Sequence, residues 1–156
     1  MDKYKLAHYG GEKTISKEFP WPVFSDKELT VVKNVVESRE WGISNSPDNY
    51  VDIFEKQFAD YTGVKHAISV VNGSVALRIA LIASGVKPGD EVIVPAMTFI
   101  ATASIVIEAN CIPVFVDIEP GTYNIDPAKI EQAITKKTKA IIPVHFGGHA
   151  CNMDRI

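Results

Sequence analysis

The chain has 156 residues, of which 46% are apolar and 22% charged, and its formal net charge is −3. This composition is typical of a globular domain and offers no basic surface for nucleic acid or for an anionic membrane. Cys111 and Cys151 lie far apart without metal-ligand spacing, which predicts free thiols in a reducing compartment. The sequence has neither the pattern of a leader nor an apolar run of membrane-spanning length, so we expect a cytoplasmic protein.

The N-terminal part of the chain is predicted to be an extended arm followed by a helix. The arm, residues 1–24, ends in Phe19-Pro-Trp-Pro-Val-Phe24, and prolines at these positions disfavour a helix interior or a central strand. Ser25 and Glu28 stand at the spacing of a capping box, which predicts a helix that begins there and runs to about Arg39.

A second helix is predicted between Asn49 and Gly63, after a loop over residues 43–48. Apolar residues recur at helical spacing on one face of this helix, and we expect that face to pack in the core. The residues of this stripe are Val51, Phe54, Phe58 and Tyr61.

A strand, a turn and a helix are predicted to follow one another directly over residues 66–85. Ala67–Val71 has the pattern of a short buried strand, and the apolar helix ends at Gly85. The turn between them, Asn72-Gly73-Ser74, would present backbone N–H groups and the positive end of the helix dipole at one place. Such a turn is either an anion-binding site or an ordinary connection in an α/β core, and these residues alone leave both open.

Strands and helices alternate through the rest of the chain. Because this alternation is typical of βαβ units, we predict an α/β fold with a mostly parallel sheet and flanking helices. Thr98 and Asp126 are the predicted N-caps of the two remaining helices. The predicted strands span 91–96, 112–118 and 139–145, and the helices span 97–110 and 126–134.

Ligands of parallel α/β sheets bind beyond the carboxyl ends of the strands. The candidate positions there are the Asn72–Ser74 turn, Thr98 with Phe99, Asp117 and His145. Their convergence favours the anion-binding interpretation of the turn, whereas Asp117 is better interpreted as a loop or cap residue. The sequence has no G-x-G-x-x-G or Walker motif, so it does not support a dinucleotide or nucleoside-triphosphate site.

Several short stretches of the chain are weak signals one by one, but their occurrence together in this order is specific for a protein family. They are Asn72–Leu77, Gly85–Thr102, Pro113–Ile118, Asn124–Pro127, Ala140–His145 and Met153-Asp154. On these stretches, residues 69–156 resemble the DegT/DnrJ/EryC1/StrS family of pyridoxal-phosphate (PLP) sugar aminotransferases. An upstream region is similar to the branch of that family that aminates cyclitols and related rings in secondary metabolism. This region comprises Leu6–Gly11, Trp21-Pro22 and Glu40–Gly42.

The resemblance implies a fold and an organisation into domains. Residues 25–156 would be the N-terminal part of the large domain of the type I, aspartate-aminotransferase-type PLP fold, preceded by the arm at 1–24. We therefore expect this chain to be the N-terminal fragment of a longer protein.

The resemblance also implies roles for individual residues. The backbone amides of Gly73 and Ser74, with the Ser74 hydroxyl, would hold the phosphate of PLP. Phe99 would stack on one face of the pyridine ring, and Thr98 and His145 would lie near the cofactor or the substrate.

Transamination with PLP needs a lysine that bonds to the cofactor and moves a proton, and a carboxylate against the pyridine nitrogen. In the family both residues lie downstream of the Met-Asp stretch, so we expect no catalytic residue in this chain. We also expect no metal site. Five lysines lie in predicted turns or at the solvent-exposed rim of the domain, and none of them matches the catalytic lysine of the family. They are Lys65, Lys87, Lys136, Lys137 and Lys139.

The function implied by the resemblance is the conversion of a keto-sugar or keto-cyclitol to its amine, with glutamate or glutamine as the amino donor. The full-length enzyme is expected to be a homodimer, and the fragment alone is expected not to transaminate. Two alternatives stay open at this point. One is a PLP-dependent sugar dehydratase or deoxygenase of the same family, and the other is a non-catalytic module that binds a cofactor or a partner.

Overall fold

A computed structural model describes residues 5–15, 17, 20–42 and 49–156 of the chain. The chain divides into two compact units, residues 1–68 and 69–156. The loop predicted at 43–48 lies outside the described residues, as does part of the arm. The predicted division into an arm at 1–24 and a partial large domain at 25–156 stays a prediction. Within the described ranges, no helix is both long enough and apolar enough to cross a membrane.

The described part of the arm is irregular, as its prolines predict. Ala7–Tyr9 forms a single turn of 3₁₀ helix. Residues 20–25 form neither a helix nor a strand, and the Trp21–Pro22 peptide bond is cis.

The first unit contains the two predicted helices, α1 (Asp26–Ser38) and α2 (Tyr50–Thr62). The capping box of α1 is formed: the Ser25 N–H donates to Glu28 Oε2 at 2.7 Å, and the two side chains also bond to each other. Asn49 caps α2, because its Oδ1 accepts a backbone N–H of the first turn at 2.8 Å. Both predictions of helix starts are therefore confirmed.

The aromatic stripe of α2 does not form a core. Phe54 and Phe58 contact each other, with ring centroids 5.8 Å apart, but each remains about half exposed. Ala59 is the buried residue of this helix. The prediction of core packing was wrong because a helix buries its apolar face only against another element, and no described element packs extensively against α2.

The second unit is built on a sheet. Three parallel strands of the described residues form it in the order β2-β1-β3, and three helices flank it, so the predicted α/β architecture is confirmed. Asp126 opens the last helix as predicted, since its Oδ1 accepts the N–H of Ala128 at 2.9 Å. The strands are β1 (Glu91–Pro95), β2 (Ile112–Val116) and β3 (Thr138–Ile141). The helices are α3 (Gly73–Ala83), α4 (Ala101–Glu108) and α5 (Pro127–Ala133), and Phe146–Gly148 forms a 3₁₀ turn.

Strand β1 runs through the centre of the core. Val92 and Val94 belong to a cluster with α3 and α4 on one face of the sheet, whereas Ile93 belongs to a cluster with α5 on the other. This alternation is that of a strand covered by helices on both faces. All three side chains are fully buried, and such burial stabilises a fold by about 2 kcal/mol per side chain.

Residues 67–71 do not form a strand, which corrects the sequence prediction. Ile68 and Val71 are 82% and 84% exposed. A strand forms only by hydrogen bonding to a neighbour, and the pairings of the sheet join only β1 with β2 and β1 with β3. The segment has the apolar composition of a buried strand, but no strand of the described residues pairs with it.

Strand β3 is shorter than the predicted strand over 139–145. The Ile142 N–H still donates to the Ile93 carbonyl at 2.9 Å, but Pro143 has no N–H to continue the ladder. Residues 142–145 therefore lead away from the sheet toward the 3₁₀ turn.

Candidate functional site

The parallel strands place several predicted site positions at one edge of the sheet. Thr98 and Phe99 follow β1, Asp117 follows β2, and His145 lies beyond β3. Because the three strands run in the same direction, their carboxyl ends lie together. This is the edge at which α/β sheets bind ligands.

A further predicted position is the N-terminus of α3. Asn72 is the N-cap, and its Oδ1 accepts the N–H of Val75 at 3.0 Å while its carbonyl accepts the N–H of Ala76. The N–H groups of Gly73 and Ser74 have no acceptor among the described residues, and the Ser74 hydroxyl has no partner there either. Three donors thus stand at the positive end of the helix dipole.

Gly73 and Ser74 line a groove of about 600 Å³ that Phe99 also lines. The Phe99 side chain is 75% exposed, and the space beside Gly73 is open. The structure therefore brings together three of the residues that the sequence singled out. The other lining residues are apolar: Ala76, Leu77, Ala80 and Ala101.

Thr98 is not the N-cap of α4, which corrects the sequence prediction. The helix begins later, after Ile100, and its start has no side-chain cap. The Thr98 hydroxyl lies 2.8 Å from the Thr102 hydroxyl and forms a hydrogen bond with it. The Phe99 carbonyl accepts the Thr102 N–H at 3.0 Å, so a tight turn replaces the expected first turn of helix. Thr98 flanks Phe99 but does not line the groove.

His145 lies in a loop that is fixed from both sides. Its Nδ1 accepts the N–H of Cys151 at 3.0 Å, so in the neutral ring the hydrogen is on Nε2. The buried Asn124 side chain accepts the Phe146 N–H at 2.9 Å and donates to the His149 carbonyl at 3.1 Å. His145 itself is exposed and is not among the residues that line the groove.

Asp117 is a loop residue, as the sequence predicts. Lys129 Nζ donates to its Oδ2 at 2.7 Å, which ties the loop after β2 to α5. This hydrogen bond lowers the pKa of the Asp117 carboxyl and raises the pKa of the Lys129 ammonium. Both groups face solvent, so the pair contributes little to stability.

Cys111 and Cys151 are free and buried, in agreement with the sequence prediction. Burial raises the pKa of both thiols. The Cys151 thiol donates to the Val144 carbonyl at 3.1 Å. A neutral, hydrogen-bonded thiol of this kind is structural rather than nucleophilic.

Residues 24–156 match the sequence profile of the DegT/DnrJ/EryC1/StrS aminotransferase family. The chain belongs to this family. The GDP-perosamine synthase of Caulobacter vibrioides is 54% identical over 112 residues, which cover 72% of this chain and 30% of that protein. The L-glutamine:scyllo-inosose aminotransferase of Streptomyces griseus is 41% identical over 155 residues, which cover 97% of this chain and 37% of that protein. The crystal structure of NtdA from Bacillus subtilis with bound cofactor PMP matches with a TM-score of 0.79 at 37% identity, over 92% of this chain and 34% of that chain.

The chain spans about a third of the length of these members of the DegT/DnrJ/EryC1/StrS family. The matching profile is that of a PLP-dependent aminotransferase family, and the PMP bound to NtdA is the aminated form of PLP. The predicted family and the predicted PLP-aminotransferase fold are thereby confirmed.

Asn124 is a residue that the sequence interpretation missed. Its only sequence signal was its place in a stretch that matches the family, because the groups it binds lie more than 20 positions further along the chain. We predict that Asn124→Ala lowers the free energy of unfolding by about 1–3 kcal/mol, since two part-buried hydrogen bonds lose their partner. Hydrogen exchange at the Phe146 amide, measured by NMR, should accelerate.

The matched control is Asn152→Ala, which changes an exposed asparagine in the same part of the fold. This variant should leave the Phe146 amide as protected as in the parent protein. Equal protection of that amide in both variants would show that Asn124 does not hold the loop.

Proposed function

We propose that this chain forms the cofactor-phosphate site of an aminotransferase that converts a keto-sugar or keto-cyclitol to its amine. The observation on which this proposal depends is that two unpartnered N–H groups at the start of α3 share a groove with an exposed aromatic ring. PLP combines a phosphate with a planar aromatic ring, and the groove offers a feature suited to each.

Gly73 and Ser74 would hold the phosphate. Their N–H groups and the Ser74 hydroxyl supply three donors, and the helix dipole adds attraction for an anion. Asn72 supports this arrangement because its side chain takes the N–H of Val75 and leaves the first two amides for the ligand. The absence of a side chain on Gly73 leaves room for close approach to the backbone.

Phe99 would bind one face of the pyridine ring. Dispersion and quadrupole interactions favour stacking of a planar heterocycle on such a ring. Thr98 immediately precedes Phe99. The intramolecular hydrogen bond of His145 uses Nδ1, which leaves the Nε2–H for a ligand. We assign Thr98 and His145 to contacts with the cofactor or the substrate.

When bound, PLP supplies an electron sink that stabilises negative charge on the substrate carbon. The residues of this chain would bind and orient the cofactor, and none of them would move the proton. No lysine lines the groove within the described residues. We therefore propose that the lysine and the carboxylate needed for catalysis are contributed from outside these residues, and that the chain alone does not transaminate.

The substrate class follows from the names of the relatives. One makes GDP-perosamine and another is named for L-glutamine and scyllo-inosose, so a sugar or cyclitol ketone with glutamine or glutamate as donor is the proposal for this protein. Homodimerisation of the full-length enzyme, its cytoplasmic location and a role in secondary metabolism stay predictions from the sequence.

Two variants separate the phosphate and ring contacts. Ser74→Ala should raise the Kd of both PLP and inorganic phosphate by about tenfold, because one hydrogen bond to a charged group is lost. Phe99→Leu should raise the Kd of PLP by about fivefold and leave that of inorganic phosphate unchanged, because it removes only the ring contact. Isothermal titration calorimetry with each ligand measures both effects.

Each variant has a matched control within the same unit. Ser84→Ala changes a serine at the opposite end of α3, and Phe115→Leu changes an exposed phenylalanine on β2. Neither control should alter either Kd. The proposed site is wrong if Ser74→Ala binds phosphate as well as Ser84→Ala does.

A second experiment tests the absence of a catalytic lysine. Sodium borohydride fixes any lysine that has condensed with the aldehyde of PLP, and mass spectrometry of peptides locates it. We expect low, scattered modification of exposed lysines, equal in the folded and the urea-unfolded chain. A stoichiometric adduct at one lysine of the folded chain alone would overturn the proposal.

A further inference from the structure

A buried side chain, that of Thr102, forms a hydrogen bond across the turn between β1 and α4. Thr102 is 4% exposed, although threonine is a polar residue, and its hydroxyl lies 2.8 Å from that of Thr98. Its backbone N–H donates to the Phe99 carbonyl at 3.0 Å. Thr102 is thus bonded to Phe99 and to the residue immediately before it.

The direction of the hydroxyl pair follows from burial. Among the described residues the Thr102 hydroxyl has no partner other than Thr98, and an unmade hydrogen bond is costly in a buried group. Thr102 therefore donates and Thr98 accepts. The hydroxyl hydrogen of Thr98, a more exposed residue, remains available for another acceptor.

Phe99 depends on this turn for its orientation. Its side chain is 75% exposed and so has little packing of its own to fix it. The backbone turn on which it stands is closed by Thr102, and Ala101 after it is buried. The position of the Phe99 ring, which would contact a flat ligand, is thus set by the backbone turn that carries it.

We infer that Thr102 is a positioning residue, which fixes Phe99 in the groove and orients the Thr98 hydroxyl as a donor. This inference rests on the proposed function for the identity of the ligand. A ring that is already ordered loses less conformational entropy on binding, so Thr102 raises the affinity for the cofactor ring without touching it. It has no effect on the phosphate contacts of Gly73 and Ser74.

The first test uses the ligand-free chain. The chain contains seven phenylalanines, and labelling with 4-fluorophenylalanine gives each a ¹⁹F resonance, of which Phe99 is the one lost in Phe99→Leu. Thr102→Val keeps the shape of the side chain and removes the hydroxyl. It should shift or broaden the Phe99 resonance, whereas Thr102→Ser, which keeps the hydroxyl, should restore it.

The second test measures ligand affinity in the same variants. Thr102→Val should raise the Kd of PLP by about fivefold, the effect of having to order one side chain on binding, and Thr102→Ser should return it to the parent value. The Kd of inorganic phosphate should be the same in all three proteins. Should Thr102→Val fold poorly, Thr98→Val breaks the same bond from the exposed side and is followed by the Phe99 resonance.

The outcomes separate this inference from the proposed function. If the parent chain binds no PLP, the proposed function fails, and the ligand-free resonance of Phe99 still decides whether Thr102 positions it. An unchanged Phe99 resonance in Thr102→Val would overturn the inference, as would equal effects of the valine and serine variants. Equal weakening of PLP and inorganic phosphate would also overturn it, because that indicates general disruption of the groove.

Discussion

The enclosure of β1 on both edges and both faces is the constraint on which the second unit depends. Its backbone is paired with β2 and β3, and Val92, Ile93 and Val94 are buried in two separate clusters. A one-residue shift of its register would exchange these side chains between the two clusters and disrupt the packing of both. The turn that carries Thr98 and Phe99 follows β1, so an exposed aromatic side chain stands close to a fully enclosed strand.

The N-terminus of α3 adds the second part of the site by a different physical principle. A helix start always leaves N–H groups without intrahelical partners, and here the cap at Asn72 satisfies only some of them. An N-cap normally serves stability alone. In the proposed site the same cap also determines which donors remain for an anion, so one side chain would link the stability of α3 to phosphate binding.

The sequence predicted features whose partners lie close together in the chain. The capping box at Ser25, the cap at Asp126 and the parallel alternation of strands and helices are all confirmed. Two of the failures concern distant partners. Ala67–Val71 has the composition of a strand but no strand beside it among the described residues, and no described element packs extensively on the aromatic face of α2. Thr98 was misassigned as an N-cap because its hydroxyl bonds to the Thr102 side chain and not to a backbone N–H. Both kinds of bond join residues a few positions apart, so the spacing in the sequence does not distinguish them. The shared groove of Gly73, Ser74 and Phe99 required the fold, because its two halves come from separate elements.

Amide NMR most directly tests the proposed binding of the PLP phosphate by the first amides of α3. Titration of the ¹⁵N-labelled chain with inorganic phosphate and then with PLP reports each backbone N–H separately. We expect Gly73 and Ser74 to show the largest shifts with both ligands, and residues around Phe99 to respond to PLP alone. The claim would be contradicted if both amides stayed unchanged at saturation, or if the shifts were centred on another helix start such as the capped N-terminus of α5.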